Sequence, residues 1–438
     1  MKTAAFHTLG CKVNTYDTEA MMELFEKAGY KIVEFDTKSD VYVINTCTVT
    51  NIGDKKSRQM IRKAKRQNPE SVVTVTGCYA QTSPEDLKKI PEVNIIVGNK
   101  DRNRIVDLVE EQKSFGKNIN IVQNIMDTME YEELKISKVK DRTRAYIKVQ
   151  EGCSNFCSYC IIPYARGPVR SRKVENIIAE GKAIADQGYK EIVITGINVS
   201  SYGKELKDVT LIDVLKGLNK IEGIERIRLG SLEPLLLDTV FIKELKNIEK
   251  LCDHFHLSLQ SGSNDILQRM NRKYTKEDYY HIVEKIRYMF PLCSITTDIM
   301  VGFPGESEEN FIESYEFIKQ LGFSKLHVFK YSMRQGTPAA NMKEQIPEWV
   351  KEERSKKMIH LSSQLEKLYI SQFANSRLEV LFEQKLKKEY NTYQGHTKNY
   401  ILVQAQSEKD IINQTLLIEL SDIKKGYIEG NIFNGGKV

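Results

Sequence analysis

The sequence predicts an α/β protein in three successive parts: an N-terminal doubly wound parallel sheet, a central partial (β/α)6 barrel and a small C-terminal β-barrel. Three observations carry this expectation. Strand-like and helix-like runs alternate through residues 1–127, and alternate again through 144–373. Between them, periodicity fades into a polar, charged stretch ending Lys138-Val-Lys-Asp-Arg-Thr-Arg144, which makes 128–143 a linker. From 376 to 438 the helical pattern stops, and short β-like runs alternate with turns.

In the first part, Lys2–Leu9, Val41–Thr46, Val72–Thr76 and Val93–Val97 read as strands. Thr18–Lys27, Asp54–Gln67 and Arg102–Glu111 read as helices. Cys11, Cys47 and Cys78 follow the first, second and third of these strands. In a parallel sheet those strand ends share one edge, and that edge is where open α/β sheets bind ligands. Three small buried thiols would satisfy packing. Three at corresponding positions favour a shared three-thiolate centre. The run Lys55-Lys-Ser-Arg-Gln-Met-Ile-Arg-Lys-Ala-Lys-Arg66 holds seven basic residues, with Arg58, Arg62 and Arg66 spaced i, i+4. Such a run is a solvated face or a phosphate contact.

In the central part, strands read at 144–150, 190–195, 225–229, 254–260, 295–301 and 325–331. Helices read near 174–186, 210–220, 238–247, 276–289 and 308–320. Six such units give a partial barrel with its site at the strand C-terminal ends. The first strand runs directly into Glu151-Gly-Cys-Ser-Asn-Phe-Cys-Ser-Tyr-Cys160. Cys153, Cys157 and Cys160 in CxxxCxxC spacing are close enough to converge on one centre. Zinc usually asks for a fourth local ligand and paired CxxC spacing. Three thiolates on a four-iron cluster leave one iron open for chemistry. The later strand ends carry Thr195-Gly-Ile-Asn198, Ser231-Leu-Glu-Pro234, Ser258-Leu-Gln-Ser-Gly-Ser263, Asp298–Glu306 and Tyr331–Gly336. Each alone is an ordinary βα turn. His254 and His256 share a strand face and read as structural, and Cys252 and Cys293 as packing residues. The charged segment Pro347–Leu368 reads as a helical connector. In the last part, Tyr393, Tyr400 and Tyr427 are either core or base-stacking residues.

The chain has 438 residues, 41% of them hydrophobic, enough for about three domains with real cores. No apolar run reaches the roughly 20 residues of a membrane span, and the first residues lack a signal core. A cytoplasmic protein is expected. Eight cysteines there point to metal or redox chemistry rather than disulfides. A net charge of +6 permits a polyanionic partner without requiring one.

With Tyr159 before its third cysteine, the 153–160 loop resembles the cluster loop of radical S-adenosylmethionine (SAM) enzymes. The whole chain resembles the radical SAM methylthiotransferases. The likeness rests on Leu9-Gly-Cys-Lys-Val-Asn14 with Asp17-Thr-Glu19, on Asn45-Thr-Cys47, on Thr76–Gln81, on Ile162–Gly167 and on Asp298–Glu306. It implies two [4Fe-4S] clusters, one on Cys153, Cys157 and Cys160, the other on Cys11, Cys47 and Cys78. It implies SAM contacts from Tyr159, Gly196, Asn198, Gln260 and Gly302, and a C-terminal RNA-binding TRAM barrel. The residues around Cys11 are similar to the branch acting on N6-threonylcarbamoyladenosine (t6A) at position 37 of tRNA, beside the anticodon. Sister branches act on isopentenyl-adenosine or on a ribosomal protein; a zinc-stabilised RNA-binding protein is the non-enzymatic alternative. The implied partners are the tRNA anticodon stem-loop and an electron-donating reductase, with no membrane or DNA and a monomeric enzyme. The sequence names no general base.

Overall fold

The structure is a computed structural model that describes residues 1–134, 136, 143–386 and 391–433. Most of the basic end of the expected linker, 137–142, lies outside the described residues.

The N-terminal unit comprises β1 (Thr3–Thr8), α1 (Lys12–Lys27), β2 (Lys31–Val33), β3 (Val41–Thr46), α2 (Asn51–Gln67), β4 (Val72–Gly77), α3 (Cys78–Thr82), α4 (Pro84–Lys88), β5 (Ile95–Ile96), α5 (Ile105–Phe115) and β6 (Ile119–Asn120). Its six strands run in the order β2-β1-β3-β4-β5-β6, all parallel. β3 and β4 are buried throughout, as strands covered on both faces must be. Separate apolar clusters fill the two faces: Tyr42, Ile44, Val73 and Val75 on one, Val41, Val43, Phe25 and Leu108 on the other. Helix α1 begins six residues earlier than the sequence pattern suggests. Its first turn, Lys12-Val-Asn-Thr, lacks helical apolar spacing and is held by backbone bonding from Thr15 N–H to the Cys11 carbonyl.

The central unit comprises β7 (Arg144–Glu151), α6 (Ile162–Arg166), β8 (Arg170–Ser171), α7 (Val174–Asp186), β9 (Glu191–Gly196), α8 (Leu211–Asn219), β10 (Arg226–Leu229), β11 (Ser231–Leu232), α9 (Thr239–Lys246), β12 (His254–Leu257), α10 (Asn264–Arg269), α11 (Lys276–Met289), β13 (Ser294–Val301), α12 (Glu308–Leu321), β14 (Lys325–Lys330) and α13 (Glu348–Ser371). Two four-stranded sheets, β10-β9-β7-β8 and β11-β12-β13-β14, meet at a single bridge between Ile227 and Leu251. Six successive parallel strands, β7, β9, β10, β12, β13 and β14, thus form an open partial barrel, walled by the large apolar cluster between strands and helices. Strand β12 ends at Leu257, short of the expected 260, because Gln260 turns to φ 72°.

Helix α13 is more than a connector. Met358, Leu361 and Leu365 join the barrel core. Arg354 donates to the Glu306 carboxylate at 2.7 Å, and the buried Lys351 donates to the Tyr331 carbonyl at 3.2 Å. The dense charge of its sequence had hidden this inward stripe.

The C-terminal unit is a closed five-stranded barrel, β15 (Arg377–Lys385), β16 (Thr392–Thr397), β17 (Leu402–Gln406), β18 (Thr415–Lys424) and β19 (Tyr427–Ile432), in the order β15-β16-β17-β19-β18. It sits on the N-terminal mouth of the central barrel. Arg226 donates to the carbonyls of His396 and Glu379, and Arg228 to that of Lys398. The Tyr400 ring stacks between His254, at 4.7 Å, and His396, at 4.5 Å. Tyr393 is buried in the barrel core. Of the three tyrosines considered for base stacking, one is therefore core and one is locked into an interdomain joint. His254 and His256 do share a face and both bond the Thr296 hydroxyl, a structural role. Cys252 and Cys293 are buried.

Candidate active site

The topology delivers Cys11, Cys47 and Cys78 to one edge of the N-terminal sheet. Cys47 and Cys78 follow directly on β3 and β4, Cys11 comes three residues after the end of β1, and all three strands are neighbours. The turns that place them need glycine at two points. Gly10 has φ 111°, and a Cβ there would sit 3.2 Å from the Cys47 sulfur. Gly77 has φ 92°, and a Cβ there would strike the Asn45 side-chain oxygen at 2.4 Å. Both are left-handed positions that a side chain would strain. Asn14 bonds the carbonyls of Leu9 and Thr46, tying the first two cysteine turns together.

Cys11 opens onto the cleft surface, Cys47 is half-buried and Cys78 is buried. Burial nonetheless raises the Cys11 thiol, because protein surrounds the cleft, and pushes Cys47 to about 11, with Cys78 and Cys11 adding to it. The second set of thiols lies on one loop after β7. Burial raises Cys153, and burial with neighbouring Cys157 raises Cys160 to about 12. Thiols in this state become ligands when a metal supplies the compensating charge. Among the described residues, no three His, Cys, Asp or Glu side chains converge on one metal-ion position. A four-iron cluster asks instead for one thiolate per iron.

Each set has an arginine and an asparagine on sulfur. Arg166 Nε donates to Cys78 at 3.2 Å, with Asn99 at 3.8 Å. Arg272 donates to Cys157 at 3.3 Å, and Asn198 reaches Cys153 at 3.7 Å. Hydrogen bonds to sulfur are one of the protein's levers on cluster potential.

Arg166 also joins the two units. Its guanidinium bonds Asp17 at 2.8 Å, and also Glu151 and Asn14, all buried. Arg102 reaches Asp17 at 2.5 Å and Glu151 at 3.2 Å; Lys148 reaches the same pair at 2.5 and 2.9 Å. Burial alone would raise both carboxyls. Arg102, Lys148 and Arg166 override it, holding Asp17 below its ordinary value and Glu151 well below. Asp17 and Arg102 come from the N-terminal unit, Lys148, Glu151 and Arg166 from the barrel, so the network locks the two cysteine-bearing edges together.

A cavity of about 260 Å³ opens beside Cys157, lined by Asn155, Asn198, Glu233, Arg272 and Tyr274 among others. Its Glu233 carboxylate and Arg272 guanidinium pair with each other at 2.6 Å, a charge pair that a ligand carrying an ammonium and a carboxylate can complement. Of the five residues expected to touch SAM, Asn198 lines this cavity. Gly196 packs against Gln150, whose side chain accepts from Asn198 N–H at 2.8 Å. Tyr159 packs beside Phe303. Gln260 bridges to β13, its N–H on the Asp298 carbonyl. Gly302 donates to Glu306 at 2.7 Å and lies under Lys351. Sequence reasoning missed Arg166, Arg272, Asn99 and Glu233. The Arg in Tyr164-Ala-Arg-Gly167 and the Glu in Ser231-Leu-Glu-Pro234 stood inside quoted motifs, but nothing local tied them to a sulfur.

The cysteine loop at the end of the first strand and most of the six-stranded partial barrel fall within a single family match. The Radical SAM superfamily model matches residues 147–318, and that of Uncharacterized protein family UPF0004 matches 3–98. The chain is 48% identical, over 98% of its length and 95% of the relative's, to threonylcarbamoyladenosine tRNA methylthiotransferase MtaB of Bacillus subtilis. It is 42% identical to the protein of that name from Aquifex aeolicus, over 93% and 97% of the two chains. Identity to the tRNA-2-methylthio-N(6)-dimethylallyladenosine synthase of Thermoanaerobacter sp. is 36%, over 97% and 91%. The chain belongs to the radical SAM tRNA methylthiotransferases, and it is a transferase. In fold it is similar to the radical SAM methyltransferase TsrM from Kitasatospora setae, with TM-score 0.58 at 14% identity over 78% and 77% of the chains. Among the described residues, no helix is long and apolar enough to cross a membrane.

Proposed function

We propose that this enzyme converts t6A at position 37 of tRNA into 2-methylthio-t6A. The observation that carries the chemistry is the pair of three-thiol edges fastened to each other through Arg166. The t6A substrate is supported by the names of the 48% and 42% identical relatives.

In this reading Cys153, Cys157 and Cys160 hold the cluster that binds SAM, and Cys11, Cys47 and Cys78 hold a second [4Fe-4S] cluster. When bound, clusters and SAM supply the radical, the sulfur and the methyl group that an unactivated adenine C2–H requires. The chain's own residues bind, orient and shield. Glu233, Arg272 and Asn198 receive the charged end of SAM, while Tyr159, Gly196, Gln260 and Gly302 shape the strand ends along it. Arg166 and Arg272 each donate to one thiolate ligand. The target adenosine leaves the stacked anticodon loop to enter between the two edges. Electrons come from an external reductase in the cytoplasm.

Mass spectrometry of tRNA nucleosides from a strain lacking the gene tests the substrate. The expected result is loss of 2-methylthio-t6A with t6A retained. Persistence of 2-methylthio-t6A overturns the reading; loss of the methylthio isopentenyl-adenosine instead moves the enzyme to the branch of the 36% identical relative. Anaerobic reconstitution with iron and sulfide tests the clusters, and bound zinc without iron–sulfur absorbance would remove both.

A further inference from the structure

The basic run on α2 has no part in the site described above. Seven cations lie between Lys55 and Arg66. Three are engaged within the protein. Arg58 donates to the Tyr79 hydroxyl at 3.1 Å, Lys63 pairs with Asp36 at 2.5 Å, and Lys65 donates to the carbonyls of Pro69 and Ser71. Arg58 shares a helix face with Arg62 and Arg66 by its i, i+4 spacing but is half-buried and engaged with Tyr79. The exposed stripe is Lys55, Gln59, Arg62 and Arg66, flanked by the exposed Lys56. These four cations have no hydrogen bond or ion pair with any described residue. At 1.5 Å per residue, the stripe runs about 16 Å from Lys55 to Arg66. It starts eight residues past Cys47, at the cysteine edge, and leads away along the helix.

A second feature lies around the cysteine loop of the barrel. Phe156 and Tyr164, on the loop and helix around Cys160, are 39% and 40% exposed, with ring centroids 5.9 Å apart. Phe156 is held at φ 47°, a conformation that bulky residues rarely adopt, with Asn271 bonded to its carbonyl at 3.0 Å. Tyr164 sits on α6, which packs against α3. Tyr79 of α3 holds Arg58 of α2. The helices that carry the cation stripe and Tyr164 thus both touch the short helix that begins at Cys78. In the C-terminal barrel Tyr393 is buried, and Tyr400, 37% exposed, is stacked on two histidines.

We propose that this face docks the anticodon stem-loop, with unstacked loop bases on Phe156 and Tyr164 and backbone phosphates along Lys55, Lys56, Arg62 and Arg66. Exposed aromatics suit splayed single-stranded bases, and unpaired cations suit phosphates. The inference rests on the tRNA reading above, and adds where the RNA lies.

Fluorescence anisotropy of the reconstituted enzyme with a synthetic t6A-containing anticodon stem-loop, across a salt series, tests it. Replacing Lys55, Lys56, Arg62 and Arg66 together by Gln removes charges that hold no structure. Binding at low salt should weaken about ten-fold or more, and the log–log salt slope should flatten by about 3. A control replaces Lys220, Lys243, Lys285 and Lys367, exposed lysines on or next to the outer barrel helices, by Gln. Its slope should stay near that of the unmodified enzyme. Tyr164→Ala should weaken binding roughly ten-fold with the slope unchanged. Equal slopes in the two four-Gln variants overturn the proposal. So does unchanged RNA binding with slowed reduction, which would mark the stripe as the dock of an acidic electron donor. Failure of the unmodified enzyme to bind the stem-loop at all would instead remove the tRNA reading beneath it.

Discussion

The two three-cysteine edges reach a similar environment by opposite routes. Cys153, Cys157 and Cys160 occupy one loop at the end of one strand, so their grouping is a property of local sequence. Cys11, Cys47 and Cys78 stand more than thirty residues apart and meet only because β1, β3 and β4 are adjacent and parallel. Yet each set has an arginine N–H on one sulfur and an asparagine near a sulfur. A site made by spacing survives local rearrangement of the fold; a site made by topology depends on the whole sheet. Four experiments can break or sharpen that contrast.

The largest effect is expected from the cysteines themselves. On the proposed two-cluster reading, Cys157→Ala should abolish 5′-deoxyadenosine formation while iron and sulfide persist on the N-terminal edge. Cys47→Ala should retain SAM cleavage and lose the methylthio product. Metal analysis alongside SAM turnover checks both, and equal loss of iron from both edges in either variant would contradict their independence.

Next comes the network that joins them. Asp17→Asn leaves Arg102, Lys148 and Arg166 short of one buried counter-charge, and should cost about 3–5 kcal/mol in denaturant unfolding. The Asp17 and Glu151 carboxyls are depressed in the fold, so their contribution is present above the unfolded values, about 4. It is lost as pH falls through the folded ones. The stability gap between the unmodified protein and Asp17→Asn should therefore narrow below about pH 4; a gap that widens on acidification counts against this network.

Smaller and more selective is the effect of the sulfur-bonding arginines. Arg166→Lys and Arg272→Lys keep the charge but lose the planar fork. If each edge holds a cluster as proposed, each variant should lower the midpoint potential of its own cluster by on the order of tens of millivolts and leave the other alone. Potentiometric titration followed by EPR reads this, and shifts shared by both clusters would show a global rather than a local cause.

The smallest effect belongs to the far mouth of the barrel. Tyr400→Ala removes two ring stacks and a contact with Arg228, and should cost about 2 kcal/mol. Cluster content at both edges should be unchanged; iron loss here would mean that the C-terminal barrel supports the site.

Six strands and five helices of the central barrel were readable to within a few residues, since period-2 and period-3.6 runs alternate with turn residues between them, while the short α6, β8, β11 and α10 have too little periodicity to be seen. The 153–160 loop was readable from spacing alone. The N-terminal edge required one further inference, that alternating strands form a parallel sheet, after which strand-end position did the rest. The inward face of α13 was not legible, because Lys351 and Arg354 are buried through Tyr331, just past β14, and through Glu306 and Glu308 at the start of α12, which no local pattern announces. Arg166 and Arg272 escaped for the same reason: each sulfur contact spans a long sequence separation, and a lone arginine in a loop looks like any solvated cation. Tyr400 had the composition of a base-stacking residue, and only its histidine neighbours, brought in from another unit, settled its use.

The buried cluster of Asp17, Arg102, Lys148, Glu151 and Arg166 constrains how this protein can be taken apart. An excised sheet would keep the Asp17–Arg102 pair but expose it to water without Lys148, Arg166 and Glu151, and the barrel left behind would present two cations to one glutamate. Recombining the first 127 residues with the barrel of a distant cousin should succeed only when all five positions travel as a matched set. Any crossover between Arg102 and Lys148 separates them.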